Sequence, residues 1–106
     1  MRQFSPLELH EHLGNGDNNP LLLDVREQWE FDYCQIAGSE LIPMGQIESR
    51  IGQLDKHRET VVICHHGIRS RRVCYYLEYM GFTNVVNLEG GVERWANEVD
   101  PQMKRY

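Results

Sequence analysis

The sequence lacks any apolar stretch long enough to cross a membrane, since a spanning helix needs about 20 predominantly apolar residues. Its first residues, Met1 to Pro6, have no apolar run behind Arg2, so we expect no secretory signal peptide. Basic residues are also scarce: 11 Lys and Arg stand against 16 Asp and Glu, and the formal net charge is −5 at pH 7. Nucleic acids and anionic membranes attract positive charge, so neither is expected as a partner.

Cysteine is sparse as well. The chain has 3 cysteines, Cys34, Cys64 and Cys74, which is an odd number with wide spacing. A disulfide framework is built from pairs, so this pattern favours free thiols in a reducing compartment, and the cytoplasm is the expected location. A chain of 106 residues, 41% of them hydrophobic, suits one domain with its own core, and we predict one domain over residues 1–106.

Short apolar runs alternate with segments of helical spacing along the chain. The predicted strands are Leu21–Val25, Leu41–Ile42, Val61–Cys64 and Val85–Leu88. The predicted helical segments are Ser5–Leu13, Glu27–Tyr33, Ile47–Leu54, Ser70–Met80 and Val92–Val99. Alternation of this kind is typical of α/β proteins, so we predict an α/β fold with a mainly parallel sheet flanked by helices on both faces. Residues 101–106 are predicted as a surface tail.

The stretch from Val61 to Ser70 carries most of the recognisable chemistry. A β-branched run typical of a buried strand leads directly into a polar hexapeptide, Cys64 to Arg69, and a helical pattern follows. At such a junction, backbone N–H groups and the positive end of the helix dipole can stabilise a thiolate. Cys64 is therefore a candidate nucleophile. The alternative is a buried cysteine that only packs, but the loop with Gly67 and the helix start favour the nucleophile.

Polar side chains also follow two other predicted strands. Asp24 and Arg26 lie at the end of the first, and Glu89 follows the last. Because ligands of parallel sheets bind beyond the carboxyl ends of the strands, we expect these residues and Cys64 to converge on one rim. We interpret Asp24 and Arg26 as a structural ion pair and Glu89 as a residue that organises the loop.

Three segments, in this order and at this spacing, resemble the single-domain rhodaneses, a family of sulfurtransferases. They are Asp24-Val25-Arg26 with Glu30-Phe31, Ile36-Ala37-Gly38-Ser39 and Ile42-Pro43; Cys64 to Ser70; and Leu88-Glu89-Gly90-Gly91 with Trp95. Four residues depart from the family pattern. Cys34-Gln35 stands where Gly-His is common, Ala37 where proline is frequent, and His65 where thiosulfate users often have arginine.

The resemblance implies a sulfurtransferase with a rhodanese-like fold. In this family the residue corresponding to Cys64 takes a sulfane sulfur from a donor, here thiosulfate or a persulfide, and passes it to a thiophilic acceptor. Acceptors of this class include glutathione, thioredoxin and, in vitro, cyanide, and no cofactor is implied. The expected substrate-binding residues are those of the loop that surrounds the sulfur: His65, His66, Gly67, Ile68, Arg69 and Ser70.

Two other functions use related folds. A non-catalytic protein-binding module is one, although the presence of Cys64, Gly67 and Arg69 argues against it. A phosphatase or arsenate reductase is the other. Those enzymes need a longer loop, Cys-x5-Arg, to surround a tetrahedral oxyanion, whereas Arg69 gives Cys-x4-Arg here. We expect the shorter loop to be too tight for phosphate chemistry.

Several side chains keep two interpretations. Arg69 either anchors an anionic donor or turns inward to pair with a carboxylate that holds the loop. His65 and His66 titrate near neutrality, so they either add positive charge beside Cys64 below pH 7 or simply face solvent. Cys34 is either a resolving thiol or a packing residue. Consecutive residues rarely chelate one ion, so no metal site is predicted.

Overall fold

A five-stranded sheet forms the centre of the computed structural model, which describes all 106 residues. The strands are β1 (Arg2–Phe4), β2 (Leu21–Asp24), β3 (Glu40–Leu41), β4 (Thr60–Ile63) and β5 (Val85–Leu88). They lie in the order β1-β5-β4-β2-β3, and every neighbouring pair is parallel. The predicted α/β fold is therefore confirmed.

Five helices cover the sheet. They are α1 (Pro6–Gly14), α2 (Gln28–Tyr33), α3 (Ile47–Arg50), α4 (Ile68–Tyr79) and α5 (Gly91–Glu98), and single 3-10 turns at Met44–Gln46 and Ile51–Gln53 flank α3. The capping box expected at the start of α1 is present, since Ser5 Oγ accepts from the Glu8 N–H and Glu8 accepts from the Ser5 N–H. None of the helices has the length and apolar character that a membrane span requires.

The three central strands are buried on both faces because their side chains alternate between two apolar clusters. In β4, Val62 joins the cluster that includes Ile47 of α3 and Leu77 of α4. Its neighbours Val61 and Ile63 join the opposite cluster, which includes Leu9 of α1 and Trp95 of α5. Helices therefore cover both faces, as predicted, and every residue of β2, β4 and β5 is buried rather than every second one.

The structure differs from the sequence-based expectations in four places. The helix predicted over Ile47–Leu54 is an α-helix only over Ile47–Arg50 and continues as a 3-10 turn. The edge strand β1 was not expected, because Arg2 and Gln3 are exposed and give no alternating signal. Helix α4 begins at Ile68, two residues before the predicted Ser70, so the loop after Cys64 is short. Residues 101–106 do not form a surface tail throughout, since the Tyr106 ring packs against the loop that follows β4.

Candidate active site

Cys64 directly follows β4, at the carboxyl edge of the sheet, and only 1% of its surface is exposed. The Gly67 N–H donates a hydrogen bond of 3.1 Å to Sγ. The thiol itself donates to Ser70 Oγ at 3.3 Å. The first turn of α4, with its positive dipole end, follows Gly67 at once. The thiol therefore lies where backbone and helix both favour negative charge on sulfur.

Gly67 allows the chain to turn from the strand into the helix. Its φ is +93°, in the left-handed region that favours glycine. A Cβ at this position would also lie 3.1 Å from the backbone nitrogen of Gly90. Of the loop N–H groups predicted to surround the sulfur, that of Gly67 is the one within hydrogen-bonding distance of Sγ.

The start of α5 holds the loop from the other side. The Val92 N–H donates to the Cys64 carbonyl at 3.0 Å, and the Glu93 N–H donates to the His65 carbonyl at 3.1 Å. A Cβ on Gly91 would collide with both of these carbonyl oxygens. The Gly90-Gly91 pair is therefore the means by which α5 approaches the loop, a role the sequence analysis had not assigned to it.

Asp24 and Arg26 form the ion pair expected at the end of β2. Both are fully buried, and Arg26 Nη2 lies 2.7 Å from Asp24 Oδ2. Arg26 also donates to the carbonyls of Cys34 at 2.6 Å and of Glu30 at 3.2 Å. The pair thus fastens the segment after β2 to the end of α2, and its guanidinium is enclosed in the protein rather than open to a substrate.

Arg69 turns inward. Its Nη1 and Nη2 donate to the two carboxylate oxygens of Glu30 at 2.7 and 2.8 Å, a bidentate pair across α2 and α4. Arg69 lowers the pKa of Glu30 to about 2, and Glu30 in turn raises the pKa of Arg69. Of the two interpretations kept for Arg69, the geometry favours the residue that holds the loop.

Tyr106 completes this network from the end of the chain. Its hydroxyl donates to Glu30 Oε2 at 2.8 Å and accepts from Arg26 Nη1 at 2.9 Å. Burial raises the pKa of the phenol, so the hydroxyl stays protonated at neutral pH. The side chains of Glu30, Arg26 and Tyr106 therefore join α2, the segment after β2 and the last residue of the chain. This junction lies beside the Cys64 loop.

The Tyr106 ring also covers His65. His65 lies between Tyr106 and His66, with ring centroids 3.9 Å from each, and its side chain is 15% exposed. Burial, and then the charge of His66, lower the pKa of His65. The lowered pKa disfavours the positive charge expected on His65 beside Cys64, and the enclosed ring does not face solvent either. His66 remains exposed.

One group of side chains has the composition of a metal site. The ligand atoms of His65, His66 and Glu93 all lie within 4.8 Å of one another. An imidazole binds a metal in the plane of its ring, and the two histidine rings are stacked at 24°. An ion in the plane of one ring would therefore lie outside the plane of the other, so this arrangement does not fit a shared ion.

The remaining predicted residues fall into separate environments. Glu89 was expected to organise the loop, but its side chain is 56% exposed and approaches only Arg94, at 3.7 Å, so its position at the strand end does not bring the carboxylate inward. Ile68 is 66% exposed at the mouth of the loop. Cys34 is buried, with Sγ 3.7 Å from Arg26 Nη1, an environment suited to packing. Cys74 is fully buried, which raises the pKa of its thiol to about 12.

Sequence reasoning missed three residues of the site. Asn87 is 1% exposed and accepts a hydrogen bond of 2.5 Å from Ser70 Oγ. A polar residue within the apolar run Val85–Leu88 was the signal that could have found it. Glu30 entered only as part of a motif, although it is the partner of Arg69. For Tyr106 the sequence carried no signal.

The parallel α/β sheet carries a cysteine at a strand–helix junction, and a partly buried arginine–carboxylate pair, Arg69 with Glu30, holds the loop that follows it. This combination is the one that the resemblance to the rhodaneses leads us to expect. The sequence profile of the Rhodanese-like domain matches residues 5–98, and the chain belongs to this family. It resembles a rhodanese-like domain protein from Staphylococcus aureus with a TM-score of 0.85 and 31% identity, covering 93% of this chain and 95% of that one.

Two relatives of similar length are named as sulfurtransferases. The chain is 38% identical to YtwF of Bacillus subtilis over 102 residues, 96% of this chain and 97% of that protein. It is 37% identical to a sulfurtransferase of Allochromatium vinosum over 76 residues, 72% of this chain and 71% of that protein. MoeZ of Mycobacterium tuberculosis is 36% identical over 105 residues, but the chain spans only 26% of its length. These relatives support a role in sulfur transfer.

Proposed function

We propose that this protein is a sulfurtransferase that carries a sulfane sulfur as a persulfide on Cys64. The observation that carries the proposal is the environment of Sγ: a buried thiol that accepts from the Gly67 N–H at 3.1 Å where α4 begins. The same features that favour a thiolate would favour the persulfide anion, and the names of the relatives point to the same chemistry.

Sulfur transfer takes two steps. With thiosulfate as donor, the Cys64 thiolate attacks the outer sulfur, the S–S bond of thiosulfate breaks, and sulfite leaves with the bonding electron pair. A thiolate or cyanide acceptor then attacks the terminal sulfur of the persulfide, and Cys64 leaves as a thiolate. The acceptors we propose are glutathione, thioredoxin and, in vitro, cyanide. No net oxidation of the protein occurs across the cycle.

The positive charge available around the Cys64 loop affects which sulfur donor binds. Arg69 is committed to Glu30 through two hydrogen bonds, and His65 is enclosed with a lowered pKa. The side chains that would attract a doubly negative donor are therefore largely occupied or neutral. We propose that the donor is thiosulfate or a low-molecular-weight persulfide, with thiosulfate held weakly. The 3 free cysteines support a cytoplasmic setting for this chemistry.

Intact mass spectrometry tests the proposal. After incubation with thiosulfate or glutathione persulfide, the protein is expected to gain the mass of one sulfur atom, about 32 Da, that a thiol reductant removes. Cys74→Ser should gain it equally, since Cys74 is fully buried and has a raised pKa. Cys64→Ser should gain none. Absence of the gain with every donor would overturn the proposal, and a gain that survives Cys64→Ser would move the site to another cysteine.

A further inference from the structure

A buried chain of hydrogen bonds connects Cys64 to the neighbouring strand β5. The Cys64 thiol donates to Ser70 Oγ at 3.3 Å, and Ser70 Oγ donates to Asn87 Oδ1 at 2.5 Å. All three residues are at most 1% exposed. No step of the proposed sulfur transfer uses Asn87, so the burial of this polar side chain requires a different explanation.

The orientation of the Asn87 amide determines the direction of this chain. Its Nδ2 lies 3.4 Å from the Gly67 carbonyl and 3.3 Å from Gln3 Oε1, and both of these can only accept. Nδ2 must therefore face them, which leaves Oδ1 facing Ser70. Since Oδ1 is an acceptor, the single hydroxyl proton of Ser70 is directed to Asn87 and away from sulfur.

We propose that Asn87 is a positioning residue that restrains the reactivity of Cys64 by holding the Ser70 proton away from Sγ. With that proton committed, Ser70 can only accept from sulfur, which favours the protonated thiol. A thiolate or persulfide anion would gain a second donor, besides the Gly67 N–H, only if Ser70 gave up its bond to Asn87. Asn87 therefore competes with the sulfur anion for one proton.

Replacement of Asn87 by leucine separates this role from a structural one. The Gly67 carbonyl would keep its bond from the Arg71 N–H at 3.3 Å, and the exposed Gln3 side chain can turn to water. The Ser70 hydroxyl would lose its acceptor, and Cys64 Sγ, at 3.3 Å, is an acceptor within its reach. Asn87→Leu should therefore release the proton to sulfur without leaving another buried group unpaired.

The other titratable groups near the Cys64 thiol are the same in the wild-type protein and in Asn87→Leu. On α4 these are the Arg69 guanidinium, whose charge acts on Cys64, and the Cys74 thiol. Along the loop they are His65 and His66, with Glu93 of α5 beside His65. On β5, Asn87 is flanked by Val86 and Leu88, which carry no charge.

The experiment is a pH titration of the thiolate by its ultraviolet absorbance, with the Cys64→Ser protein subtracted as background. Asn87→Leu is expected to move the midpoint to lower pH, with about fivefold more thiolate at a given acidic pH, because hydrogen bonds to a charged acceptor are about twice as strong as neutral ones. In a Ser70→Ala background the same substitution should have no effect. An unchanged midpoint, or an equal shift without Ser70, would overturn the proposal.

Asn87→Asp keeps the test decisive if Asn87→Leu does not fold. The aspartate keeps an acceptor for Ser70, so its midpoint should stay in place or move to higher pH, and a move to lower pH would contradict the proposal. The inference rests on the Cys64 thiol that the proposed function uses, but the titration needs no sulfur donor. A protein that fails to accept sulfur can still show the Asn87 effect, and one without that effect can still transfer sulfur.

Discussion

At the scale of single residues, Arg26 is the buried charge whose pairing matters most for stability. Its guanidinium is fully buried, and Asp24 supplies the compensating charge at 2.7 Å. A buried ion pair of this kind is costly to break on one side only, because the remaining charge cannot return to water. Glu89 follows β5, and Asp24 ends β2. The Glu89 side chain is largely exposed, so its removal leaves no buried charge without a partner.

We therefore predict that Asp24→Ala lowers the free energy of unfolding by about 3–5 kcal/mol, the range typical of a broken buried pair. Glu89→Ala is the matched control and should change it by no more than about 0.5 kcal/mol, as for other surface sites. Urea denaturation followed by circular dichroism measures both. Equal losses in the two variants would mean that the burial of Arg26 does not govern stability here.

At the scale of elements, the approach of α5 to the loop depends on the absence of a side chain at Gly91. The N-terminal turn of α5 donates two hydrogen bonds to the loop carbonyls of Cys64 and His65. A methyl group on Gly91 would occupy the space of those carbonyl oxygens. Helix and loop would have to separate, and the Cys64 backbone would move with them.

Gly91→Ala is accordingly expected to destabilise the protein by about 2–4 kcal/mol, through steric overlap added to the cost of a positive φ. Gly38→Ala provides the comparison. Gly38 also has a positive φ, +85°, but a Cβ there meets nothing within 4 Å, so its cost should be about 1 kcal/mol. Thermal and urea unfolding give the two values, together with sulfur loading of Cys64. Similar losses at the two glycines would show that close approach is not the reason for Gly91.

At the scale of the whole molecule, Glu30 joins distant parts of the chain. Its carboxylate accepts from Arg69, 39 residues away, and from Tyr106, 76 residues away. Arg69 lowers the pKa of Glu30 to about 2 from an ordinary value of 4.5. The folded state therefore binds this proton less readily than the unfolded chain. The contribution of Glu30 to stability is fully present above about pH 4.5 and is lost as the pH falls from there toward 2.

Stability measured against pH should show this contribution by comparison with Glu30→Gln, which does not titrate. The wild-type protein should be more stable above pH 4.5 by up to about 3 kcal/mol, and the gap should close as the pH falls toward 2. Chemical denaturation at a series of pH values measures the gap, and the other acidic groups cancel between the two proteins. A gap that stays constant over this range would contradict the assignment.

Local pattern was enough to predict much of this architecture. The alternation of apolar runs and helical segments identified four strands and the α/β class, because periodicity depends only on neighbouring residues. The short edge strand β1 escaped because it buries no alternating face. The same local reasoning placed Cys64 at a strand–helix junction and Gly67 at the turn, since both follow from the order of residues along the chain.

The sequence by itself thus determined the class of fold, the position of the thiol and the loop around it. Only the tertiary structure decided which way Arg69 points, that Tyr106 covers His65, and that Asn87 meets Ser70. Each of these depends on a partner many residues away, brought close by the order of strands in the sheet. Strand order arises from the packing of the whole core, so no local pattern around these side chains could reveal it.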